Sequence, residues 1–165
     1  MSGIVARHNT GETPAVYPPP EEENLFISTG DFWPEIRLRD LRQAMRISPS
    51  VVTARLQHIA TEAALHVCEQ LHEWQTTQTG NGHNTLDAIP AAMTGDVSAL
   101  HFRYRHAVYC LTRALLLERY RDIDTTRSGD SHAVALDAEI QDLWRDARYA
   151  MTDIQGIARV QSEVF

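Results

Sequence analysis

The chain has no lysine: of its 165 residues, all fifteen basic ones are arginine, set against 22 acids for a formal charge of −7. Gripping nucleic acid by its phosphates requires clustered Lys and Arg, so this balance argues against a dedicated nucleic-acid binder. The missing lysine also disqualifies Thr79-Gly80-Asn81-Gly82 as a phosphate loop of the Walker type. Cysteine is nearly absent. Cys68 and Cys110 stand in no Cys-x-x-Cys arrangement, so two reduced, buried thiols are expected rather than a disulfide framework. No apolar run approaches the roughly 20 residues of a membrane span. The N-terminus has no long apolar core of a secretory signal, so the expected place of the chain is the cytosol in which it is made. Gly-x-Ser-x-Gly is missing too, and no Cys/His pair falls at an informative spacing.

What is present reads as helix. Hydrophobic residues make up 43% of the chain, enough for one core in one domain. Leu38, Leu41 and Met45 predict a short helix ending near Ile47. Ser48-Pro49 pairs a capping hydroxyl with a proline at the first helical position, so a long helix is expected from Pro49 to Thr77. Its stripe is Val52, Leu56, Ile59, Ala63, Val67, Leu71 and Trp74. Residues 78–96 are rich in turn formers, with Leu86, Ile89 and Met93 available to dock the loop. Two more helices are predicted, Val97 to Arg121 and Asp130 to Gln155, joined by a short polar linker that makes them antiparallel. Folding about that linker places Arg113 near Glu139, and Arg105 or His106 near Asp146. Arg119 and Arg121 are expected to cap the end of their helix or to pair with Asp130. No alternating segment is long enough for a sheet. The expected fold class is all-α: an up-down helical bundle of three long helices plus a short N-terminal helix.

The ends differ from the middle. Residues 1–30, with Pro14, Pro18, Pro19, Pro20 and then three glutamates, read as an extended N-terminal arm, disordered in the free subunit. Either it is a loose terminus or it orders against a neighbour. Residues 31–155 form the helical domain. The tail 156–165 carries Ile157, Val160, Val164 and Phe165, which either fold back on the core or dock in another protein.

Candidate chemistry is thin. Glu69 and His72 form one Glu-x-x-His pair, and a di-iron bundle needs two. A short helix, a Ser-Pro turn and a second helix over 38–60 mimic a helix-turn-helix, but the second helix is too long and offers only Arg55 as a base. No cofactor, metal or catalytic residue is assigned.

Three blocks carry a resemblance. They are Phe32-Trp-Pro-Glu-Ile followed by Arg46-Ile-Ser-Pro-Ser-Val-Val-Thr-Ala-Arg-Leu, then Ala107 to Asp122, which ends in Glu118-Arg119-Tyr120-Arg121-Asp122, and Asp142-Leu143-Trp144-Arg145-Asp146 with its continuation to Met151. In order and spacing the chain resembles the head completion (gpL-type) family of contractile-tailed phages over roughly residues 31–155. The resemblance implies a non-enzymatic virion protein, similar to helical head-to-tail adaptors. Such adaptors form a homo-oligomeric ring, of about twelve copies, that closes by rotation. The ring sits beneath the portal at the portal vertex, extends the DNA channel, stabilises packaged double-stranded DNA and seats tail completion or terminator proteins. Under that reading Glu62, Glu69 and Glu73 face a lumen or a subunit interface, and Ile157, Arg159, Val160, Val164 and Phe165 dock on the portal or a neighbour. The competing reading is a helical DNA- or protein-binding regulator, which would need a basic face.

Overall fold

The computed structural model describes residues 17–124 and 130–157. The described chain is mostly helical. Its helices are α1 (Leu38–Ala44), α2 (Thr53–Gln70), α3 (His72–Gly80), α4 (Ala99–Asp124) and α5 (Asp130–Gln155). Two antiparallel ladders of two residues each accompany them: β1 (Phe26–Ile27) with β2 (Ile36–Arg37), and β3 (Met93–Thr94) with β4 (Val97–Ser98).

α4 contains no Gly or Pro over 26 residues, so nothing interrupts about 39 Å of helix. It is the hub. α5 packs along it and α2 packs against it. Between Ala107 and Thr112 six consecutive residues are buried, which on a helix means cover on every side. Buried Thr112 satisfies its hydroxyl by donating to the Val108 carbonyl at 2.7 Å. α4 and α5 are antiparallel: Arg121 reaches Asp137, Arg113 reaches Glu139, and Arg103 reaches the carbonyl of Asp153. Ile140, Ala147, Met151 and Ile154 bury the predicted α5 stripe, and Leu136 and Leu143 are half-buried.

The helix expected from Pro49 to Thr77 is different at both ends and in the middle. Ser48-Pro49 opens a turn, not a helix, and α2 begins at Thr53. The carbonyls of Ser48 and Val51 accept from the Arg42 guanidinium at 2.9 and 2.7 Å, so they turn toward that cation. At Leu71 the backbone leaves the helical basin (φ −99°, ψ 6°) and the axis breaks into α2 and α3. The break lets Trp74 stack on Trp33 at 6.3 Å, while Trp33 Nε1 donates to Gln75 Oε1 at 3.2 Å. Trp33 also stacks on Tyr104 of α4 at 4.8 Å, tying the segment before α1 to the hub.

The arm expected over residues 1–30 is, from Tyr17 on, part of the packed domain. Pro20–Asn24 is a 3-10 turn, and Ile27 of the β1–β2 ladder is buried. Residues 1–16 lie outside the described residues. The sheet-free expectation also yields to the two short ladders, since two-residue strands leave no readable alternation. In the 78–96 loop, Leu86 is buried and Ile89 half-buried, but Met93 is exposed. It sits beside the tight turn at Gly95, whose φ of +65° favours glycine.

Candidate assembly surfaces and the buried clasp

The residues of the resemblance blocks come together, but mainly with one another and with α2. The indole of Trp144 on α5 donates to Glu118 of α4 at 2.7 Å. Its ring and that of His66 on α2 meet nearly at right angles, with centroids 5.9 Å apart. Arg119 pairs with Glu62 of α2 at 2.7 Å. Arg55 of α2 lies over the Tyr120 ring at 5.8 Å. Arg121 reaches Asp137 at 2.8 Å and Asp122 at 3.8 Å, and the hydrogen bond and charge of Asp137 raise its guanidinium pKa further. The block therefore stitches three helices together. Where a cap on α4 was expected, Arg119 makes an ion pair with Glu62. The side chain of Asp130 is outside the described residues.

Arg113 meets Glu139 as the antiparallel register required, at 2.6 Å, and also donates to the Met45 carbonyl. Asp146 instead takes Arg145, its neighbour on α5, at 3.1 Å. Arg145 reaches Asp142 as well, at 2.7 Å, and its guanidinium pKa is raised by the hydrogen bond it donates to Asp146 and then by the charge of Asp142. Arg105 lies over Phe102, and His106 lines the same cleft as Asp146. Leu143 packs half-buried against the core.

Glu62 is thus balanced by Arg119, and it is separated from Glu73 by the break at Leu71. Glu69 and Glu73 are exposed, one on the last turn of α2 and one on α3. The same break disposes of the Glu69–His72 pair as a helical metal motif. Among the described residues, no three His, Cys, Asp or Glu gather in a way that could hold a metal ion. None of the described helices is long and apolar enough to cross a membrane. Of the tail positions, Ile157 is exposed, and Arg159, Val160, Val164 and Phe165 lie outside the described residues.

The most developed polar site was not expected from the sequence. Glu22 and Arg42 are both fully buried and joined by a forked contact. Arg42 Nε donates to the two carboxylate oxygens at 2.9 and 2.7 Å, and its Nη2 donates to Oε1 at 2.6 Å. Thr53 donates to the same carboxylate at 2.9 Å, and the Tyr17 ring covers the guanidinium at 6.0 Å. One available signal was missed. Arg42 follows Leu41 inside the Leu38–Leu41–Met45 stripe, and a cation on an apolar face needs a buried partner.

A second polar cluster ties three elements together. Cys68 of α2 donates to Thr29 at 3.3 Å, and the Thr29 hydroxyl lies 3.2 Å from the Tyr104 phenol. Burial raises the Cys68 thiol, and it raises the Tyr104 phenol strongly. Cys110 is buried on α4. Burial, then the charge of Asp146, pushes its thiol up to about 11.

Two clefts open where the first turns of α4 meet α1 and the last turns of α5. One, of about 490 Å³, is lined by Phe102, Arg103, His106, Asp146, Tyr149 and Asp153 among others. The other, of about 430 Å³, lies between Met45, Arg105 and Tyr109 and shares Phe102 and His106 with the first. Large apolar side chains stand exposed in the first cleft or on the elements beside it: Phe102 at 47%, Ile157 at 53% and Met93 at 64%.

The sequence matches the phage head completion protein (GPL) family over residues 27–165. The chain belongs to the phage head completion protein family. It is similar to the head completion/stabilization protein of Escherichia phage P2, with 33% identity over 150 residues covering 91% of this chain and 89% of that protein. No solved structure matches. Head completion proteins are structural components of the virion, and the family is not one of enzymes. The clustered blocks, where the structure describes them, join α2, α4 and α5 to one another.

Proposed function

We propose that this chain is a head-to-tail adaptor. Copies of it, about twelve, close into a ring by a heterologous interface. The ring lies beneath the portal protein, extends the DNA channel and seats tail completion or terminator proteins. The observation that carries this reading is family membership over nearly the whole chain. The net charge of −7 supports it, because an acidic wall repels phosphate and lets a duplex slide past. Glu69 and Glu73, exposed and near the bend, are the carboxylates offered to a lumen or subunit interface, beside the Arg119-balanced Glu62. Ile157, with Arg159, Val160, Val164 and Phe165, is offered to the portal or a neighbouring copy. The test is to image the portal vertex of filled particles made with and without this chain. With it, a ring is expected between portal and tail. Without it, particles should lose DNA and lack tails. Filled, tailed particles in its absence would overturn the proposal.

A further inference from the structure

The cleft lined by Phe102 and Tyr149 sits at the root of the segment 158–165. α5 ends in a Schellman-type turn: Gly156 takes φ +68°, its amide donates to the Asp153 carbonyl at 3.3 Å, and the Ile157 amide donates to the Thr152 carbonyl at 3.0 Å. The chain therefore leaves the helix three residues after Asp153, a residue of the cleft wall. From Asp153 back to Asp146 the wall runs seven residues of α5, about 10 Å at 1.5 Å each. The eight residues Ala158–Phe165 span about 26 Å when extended, more than twice that length. They include Val160, Val164 and Phe165, apolar side chains suited to the exposed Phe102 ring. They also carry one cation, Arg159, and one anion, Glu163. The cleft wall carries charges of both signs, Asp146 and Asp153 against Arg103.

We infer that in the free subunit the segment Ala158–Phe165 lies in the Phe102–Tyr149 cleft of its own chain. This contact covers the aromatic patch before assembly. Under the adaptor reading it also keeps the docking segment from engaging other copies until the portal is present. A tether this short favours the same-chain contact. Its effective concentration is on the order of 1 mM, so at about 1 µM protein same-chain contacts outnumber those between copies by about a thousand to one.

The experiment places a photo-crosslinking phenylalanine analogue at position 164 of the full chain. It is run on an equal mixture of nitrogen-15-labelled and unlabelled protein at about 1 µM, the concentration at which the tether argument applies. Crosslinks to peptides holding Phe102 or Tyr149, with both halves carrying the same isotope, are expected. Mixed-isotope crosslinks would mean that a second copy fills the cleft and would overturn the inference. So would crosslinks elsewhere, or none. A Phe102→Ser, Tyr149→Ser double variant should fold, because both side chains are more than 40% exposed. It should lose the crosslink, and an unchanged yield in a folded double variant would also overturn the inference. The readout uses purified subunit, so its failure leaves the adaptor reading standing, and that reading fails on virions alone.

Discussion

Replacing Arg42 with alanine tests the central packing claim most directly. The substitution removes five hydrogen bonds of 2.9 Å or less, three in the fork and two to the Ser48 and Val51 carbonyls, and among the described residues leaves the fully buried Glu22 carboxylate with Thr53 alone as a close side-chain donor. Breaking a buried pair from one side costs about 3–5 kcal/mol, because the remaining charge stays desolvated. That is a large share of the roughly 5–15 kcal/mol that holds a domain folded. In a chain of this length it lowers Tm by about 6–20 °C. The companion variant, Arg42→Met with Glu22→Leu, removes both charges and keeps volume. It should recover most of the loss, since apolar replacement of a whole buried pair is often neutral or stabilising. Urea melts followed by circular dichroism compare wild type, the single variant and the double variant. A cost below about 1 kcal/mol for the single variant is the size of an exposed pair, and it would refute the claim that the contact is buried and obligatory.

Two further predictions follow from other contacts. Stability should fall on the alkaline side: burial holds Cys110 protonated up to about 11 and Tyr109 up to about 12, against ordinary values of 9.0 and 10.0. The unfolded chain therefore releases these protons first, and the stability is lost between about pH 9 and 11 for Cys110 and between about pH 10 and 12 for Tyr109, on the order of 2–3 kcal/mol for each group over its full window. A urea midpoint that stays flat from pH 8.5 to 11 would contradict this. Trp144→Phe removes the indole donor to Glu118 and should cost about 1–2 kcal/mol by chemical denaturation. Glu118→Gln keeps an acceptor and should cost less. Equal stability of wild type and Trp144→Phe would show that the α4–α5 stitch contributes nothing.

The helices α4 and α5 were legible because their stripes run uninterrupted and their linker is short, and the Arg113–Glu139 pair followed from register alone. The start of α2 was not. Ser48-Pro49 carries a sound local capping signal, but Arg42, six residues earlier, claims the Ser48 carbonyl for a tertiary bond that local propensity cannot register. The break at Leu71 was equally hidden, since Leu71 fits the stripe and only the distant Trp33 explains why Trp74 swings away. The proline and glutamate content of residues 18–23 resembles a solvated arm, yet its middle glutamate is the most buried acid described. Composition averages over a segment, whereas one buried carboxylate decides its fate. The family blocks were readable as a resemblance, but their role as a helix-to-helix stitch needed the geometry of Trp144 and Glu118.

The clasp at Glu22 also has a mechanical meaning. Tension applied to the chain ahead of Tyr17 reaches the domain just upstream of the forked contact. Several short bonds then share the load together instead of failing one after another. Through Arg42 the load passes to the Ser48–Val51 turn and α1, and from Met45 through Arg113 into the central rod. A subunit wired in this way can be pulled by its leading end without unravelling from that end.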